Sequence, residues 1–96
     1  MKGRIPVEVP TYLVSVANFD ASVRGLLLAH STYREARIAQ QRAFRAGETA
    51  DETDITRVHN AVRVSYEEIE EWKREARKDW RVLKESVRKL MQSKHL

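Results

Sequence analysis

The chain has 96 residues, 33% of them charged and 42% hydrophobic, with two prolines, three glycines, no cysteine and a net charge of +4. That length bounds it at one domain with a modest core, and the missing cysteine excludes a disulfide framework, a zinc-thiolate site and a thiol nucleophile. The composition is too apolar for a disordered chain, the longest apolar run is only Leu26–Ala29, and the basic N-terminus leads into no apolar signal core, so a soluble, cytoplasmic protein with no membrane span is expected.

Residues 1–10 read as an extended arm. Pro6 and Pro10 push Ile5 and Val9 out of the helical region, and Ile5, Val7 and Val9 alternate with Pro6 and Glu8 as in a strand. So short a strand is not stable alone. It would dock on the rest of the chain, add to a partner's sheet edge, or stay irregular.

Residues 11–19 carry two signals. Their β-branched and aromatic side chains favour a strand, whereas the spacing Tyr12, Val16, Phe19, Val23, Leu26 favours a helix. A helix over about 11–46 is expected, started by Pro10, with Asn18 and Asp20 as candidate break points because both are good N-caps. Its apolar face reads as Val23, Leu26, Leu27, His30, Tyr33, Ala36, Ala43 and Phe44. That face thins beyond Tyr33, where Gln40 takes a seam position. Gly25 lowers helicity there by about 1 kcal/mol relative to alanine, and allows either close approach of a neighbour or nothing in particular.

Gly47 is placed to end this helix, with Arg45 favourably charged in its last turn. A turn over 47–53 follows, holding four acids with Asp54. Thr49 with Glu52 forms a capping box, and Thr53 and Asp54 are alternative N-caps. A connection this short makes the two helices antiparallel neighbours.

The second helix, over about 54–93, carries the strongest pattern in the chain. Ile55, Val62, Ile69, Ala76, Leu83 and Leu90 recur every seven residues, with Val58, Tyr66, Trp72, Trp80 and Val87 between them. A helix of roughly 40 residues is about 60 Å long, too long to be enclosed by a chain of this size. On its outer faces, Glu70 with Arg74, Arg81 with Glu85, and Glu85 with Lys89 are spaced to pair.

No pattern names a reaction. There is no glycine-rich phosphate loop, no HExxH and no nucleophile elbow. The histidines His30, His59 and His95 lack metal-ligand spacing, and His30 reads as a hydrogen-bonded core residue. Glu67, Glu68, Glu70 and Glu71 sit off the seam and read as a solvated face rather than a metal site. No catalytic, cofactor or metal residue and no small-molecule substrate is expected.

Two features point to partners. Ile69, Trp72, Ala76, Trp80, Leu83, Val87 and Leu90 form the seam segment with the aromatic anchors that dominate protein interfaces. Trp80 and the residues beyond it would face the ambiguous segment before Asp20. Arg74, Arg77, Arg81, Lys84 and Arg88 fall within about 80° of each other on one helix face, a stripe able to follow a phosphate backbone. The expectation is an all-α fold, a long coiled-coil-like antiparallel helical hairpin with an extended N-terminal arm. Its expected role is that of a non-enzymatic subunit or adaptor that assembles with itself or with a larger protein complex. The alternative is a nucleic-acid-binding protein, or a ribonucleoprotein small subunit, using the basic stripe.

Overall fold

The structure, a computed structural model, describes residues 10–47 and 51–94. Apart from Pro10, the expected arm lies outside the described residues, as do Thr49 and His95. Two helices, α1 (Thr11–Ala46, 36 residues) and α2 (Glu52–Lys94, 43 residues), pack antiparallel along their length. Among the described residues there is no strand, and the fold is an all-α helical hairpin 64 Å long.

Local chemistry sets the ends of the helices. Pro10, at φ −55° and ψ 140°, stands at the N-cap of α1. Its carbonyl accepts hydrogen bonds from the N–H groups of Leu13 (3.0 Å) and Val14 (3.3 Å). At the other end Gly47 has φ 59° and ψ −128°, a region closed to side chains with a Cβ, and its N–H donates to the Phe44 carbonyl. The N-cap of α2 is Asp51 rather than Thr49, Thr53 or Asp54. The Asp51 carboxylate accepts from the Thr53 N–H at 3.1 Å, and its carbonyl accepts from the Ile55 N–H at 3.1 Å. A carboxylate at this position both satisfies a free N–H and meets the positive end of the helix dipole. Asp54 instead holds Arg57 at 2.8 Å.

Residues 11–19 are helical, and α1 is unbroken at Asn18 and Asp20. Asp20 pairs with Arg24 at 2.9 Å within the helix. Strand propensity loses here because Tyr12, Ser15 and Phe19 lie against α2, and packing of one helical face outweighs propensities of a few tenths of a kcal/mol per residue.

The seam itself differs from the one read from the largest apolar residues. On α1 it consists of two rows. One is small: Ser15, Ser22 and Ala29 are buried, and Ala36 and Ala43 half-buried. The other is larger and half-buried: Tyr12, Phe19, Leu26, Tyr33 and Gln40. Each row repeats every seven residues. The hydroxyls of Ser15 and Ser86 lie 3.0 Å apart, and one heptad further along α1 the Ser22 hydroxyl donates to the Asp79 carboxylate. Continuing this register sets Ala29 level with Trp72, Ala36 with Ser65 and Ala43 with Val58. Small residues on α1 let the helix axes come close, and α2 supplies the bulk.

Serines tolerate this burial because their hydroxyls find helical carbonyls. Ser65 Oγ donates to the Ala61 and Val62 carbonyls (2.7 and 3.1 Å), and Ser86 Oγ to the Val82 carbonyl (3.0 Å). On α2 the half-buried heptad residues Ile55, Val62, Ala76, Leu83 and Leu90, with buried Ile69, are joined by Ser65, Asp79 and Ser86. Tyr66, Trp80 and Val87 lie one residue beyond this seam, on its flank. His30 likewise is exposed rather than a core residue. It follows Ala29 directly, and the roughly 100° turn per residue carries it out of the contact. Leu27 and Phe44, also read as core, are 64% and 61% exposed.

The resulting core is thin. Ala29 and Ile69 are the only buried hydrophobic residues among those described. The radius of gyration is 21.7 Å, against about 13 Å for a compact chain of 100 residues. The exposed surface is 7925 Å², where a compact protein of this mass would show roughly 5,700 Å².

Candidate interaction surface

The flank of α2 nearest the open end of the hairpin carries the apolar residues that α1 leaves uncovered. Trp80 and Val87 stand three residues before and four after Leu83, and Met91 lies one turn on. Together with the stems of Lys84 and Arg88 they line an open groove of about 290 Å³. Trp80, Val87 and Met91 are 46%, 37% and 57% exposed. Trp80 is braced by α1: the Phe19 ring lies 5.3 Å from its own. Lys84 Nζ sits 5.8 Å over the Trp80 ring, a cation–π arrangement. An apolar groove with a cationic rim can take an amphipathic, acidic protein segment.

The seven residues expected to meet a partner therefore divide. Ile69 is buried under α1, and Ala76, Leu83 and Leu90 are half-buried in the hairpin seam. Trp80 and Val87, with the groove side of Leu83, are open to a partner. Trp72 lies over Gly25, with its ring against the helix backbone. Met91 was not singled out by sequence, although its position eleven residues beyond Trp80 and four beyond Val87 puts it on the same helical face.

The five basic residues of the stripe, Arg74, Arg77, Arg81, Lys84 and Arg88, are all exposed. The intrahelical pairs differ from those read by spacing: Lys73 with Glu70, Lys78 with Glu75, and Arg88 with Glu85. The hydrogen bond from Arg88 holds the Glu85 carboxyl below its ordinary pKa. This leaves Arg74, Arg77 and Arg81 without an ion pair among the described residues. They border a shallow open surface with Glu75 and Lys78.

Near the turn, Gln40 Nε2 lies 2.8 Å from His59 Nδ1, and the Phe44 ring packs edge-on to His59 at 5.5 Å. Tyr33 and Tyr66 meet at 6.1 Å. These contacts close the flank where the α1 apolar face is thinnest. Among the described residues no group of three or more His, Asp or Glu side chains is placed to hold a metal ion. No described helix is long and apolar enough to cross a membrane. Comparison with known proteins finds no protein family, no curated protein and no solved structure that matches the chain. The fold and surface thus define a class, a two-helix hairpin with an uncovered apolar flank, without assigning a named family.

Proposed function

We propose that this chain is a non-enzymatic interaction protein, a small helical subunit or adaptor of the cell interior that assembles through the open-end flank of the hairpin. The observation that carries the reading is the groove of Trp80, Leu83, Val87 and Met91, apolar and uncovered on a protein whose own core is thin. Exposed aromatic and Met side chains clustered on one flank are the usual anchors of protein interfaces. The absence of cysteine supports the intracellular placement.

The test is photo-cross-linking in the cells that make the protein. A photoreactive residue at Val87 should give a discrete covalent adduct to a protein, whereas the same group at exposed Gln41 should not. Equal labelling at both positions, or none at Val87, removes the reading.

A second reading has its own observation: three adjacent arginines, Arg74, Arg77 and Arg81, carry no acidic partner among the described residues and border one open surface. Such a ridge suits a nucleic-acid phosphate backbone. Binding would then fall steeply with salt. Arg77→Glu with Arg81→Glu would weaken it for all sequences alike, because no base-reading motif is visible. Undetectable binding at low salt would dismiss it.

A further inference from the structure

The exposed apolar and charged residues divide between two opposite sides of the hairpin. The first side is marked by the Phe19–Trp80 and Tyr33–Tyr66 contacts, the second by Trp72 over Gly25. On α1, residues that follow the large row turn to the first side and residues that precede the small row turn to the second. Leu13 and Leu27 are therefore on the first side, and Val14 and Leu28 on the second. The pairs are adjacent in sequence, so at these two levels the rod shows one apolar residue on either side. Leu27 and Leu28 are the most exposed large hydrophobic residues among those described, at 64% and 69%.

Charge divides along the same line. Arg34, Arg77 and Lys84 project to the first side, Glu35, Glu68 and Glu71 to the second, and none of the six has an ion-pair partner among the described residues. Arg34 and Glu35 share one level near the middle of α1. Among unpaired charges the exceptions, Glu52 on the first side and Arg42 and Lys89 on the second, lie toward the two ends; Asp20 and Glu70 on the first side and Arg57 and Lys78 on the second are each neutralised by an ion pair within their own helix. Like sides would set basic on basic or acid on acid, whereas unlike sides in one orientation match charge to charge and Leu27 to Leu28.

We infer that the first side of one copy docks on the second side of another, in the same orientation. This rests on the reading of the chain as an interaction subunit and names its partner as a second copy of itself. A face 64 Å long and about 20 Å wide, two helix diameters, offers roughly 1,200 Å² per copy, above the ~800 Å² of a standard interface. Because the two docking sides differ, association does not stop at a dimer. It closes into a ring or continues as a filament.

Two charge-reversed proteins test this by sedimentation, on material freed of nucleic acid and checked for unchanged helicity. One carries Arg34→Glu and Arg77→Glu on the first side; the other carries Glu35→Arg and Glu71→Arg on the second. Wild type should form species larger than a dimer as concentration rises. Each variant alone should associate on the order of 100-fold more weakly, since like charges then face each other. An equimolar mixture should regain wild-type assembly, because native meets native and reversed meets reversed. A wild type that stops at monomer or dimer, a lone variant that assembles as wild type does, or a mixture that stays dispersed overturns the inference. A monomeric wild type whose Val87 cross-links to a different protein would remove self-stacking and leave the interaction reading intact.

Discussion

The sharpest test of the seam is Gly25→Ala, because two effects of opposite sign compete there. Alanine is the better helix former by about 1 kcal/mol, so an isolated α1 would gain from the change. In the hairpin a Cβ at Gly25 would stand 2.6–2.7 Å from Cε3, Cδ2 and Cζ3 of Trp72, where carbon atoms in contact keep about 3.5–4.0 Å. The atoms met are the body of a rigid fused ring, not the tip of a flexible chain, so the helices must part. Overpacking of this kind costs about 1–3 kcal/mol. It should outweigh the propensity gain and leave a loss of up to about 2 kcal/mol, or several degrees in Tm for a domain of this size. In a Trp72→Ala background the clash is gone and the sign should reverse, with Gly25→Ala now stabilising by about 1 kcal/mol. The assay is thermal unfolding followed by circular dichroism for all four proteins at one concentration, so that association does not confound the comparison. A stabilising Gly25→Ala in the native background, or the same effect with and without the Trp72 ring, would show that the ring does not occupy that space.

Three further outcomes follow from the same geometry. Gly47→Ala should destabilise by about 1–3 kcal/mol, read as a lower Tm, since φ 59° with ψ −128° admits no Cβ without strain. Ser22→Ala alone should lower stability by leaving the Asp79 carboxylate without its hydroxyl donor, a loss of about 1–3 kcal/mol. Ser22→Ala with Asp79→Leu should restore or exceed the native value in urea unfolding by making the layer apolar, and a double variant weaker than the single one would contradict this. Tryptophan emission should be partly red-shifted in dilute protein, because Trp80 is 46% exposed. It should move to the blue at high concentration or with a partner; emission that is blue throughout and insensitive to Trp80→Phe would place Trp80 in a closed core.

Charge-bearing side chains illustrate how little spacing fixes on an exposed helix. Glu70, Arg81 and Glu85 were spaced to pair with partners four residues away. Glu70 and Glu85 instead take Lys73 and Arg88 three residues on, and Arg81 takes none among the described residues. Exposed pairs of either spacing are worth only a few tenths of a kcal/mol. The side chains are therefore free to choose between them: the spacing shows that the basic residues share one face, but not which of them stay unpaired.

The sequence by itself determined the class of fold and its scale. The heptad from Ile55 to Leu90, the acids ahead of it and Gly47 before them require two long helices joined by a short turn, because hydrophobic period and helix stops are local properties of the chain. The row Ser15, Ser22, Ala29, Ala36, Ala43 was also present in the sequence, as five small residues spaced one heptad apart. Serine counts as polar on any hydropathy scale, and the partners that let Ser15 and Ser22 be buried, Ser86 and Asp79, lie on the other helix. The heptad of α2 does face its partner, but which face of α1 meets it was decided only by tertiary structure. Two helices pack closest where small residues on one admit bulk from the other. That criterion turned α1 toward its serines and alanines, sent His30, Leu27 and Phe44 outward, and left Trp80, Val87 and Met91 on an uncovered flank.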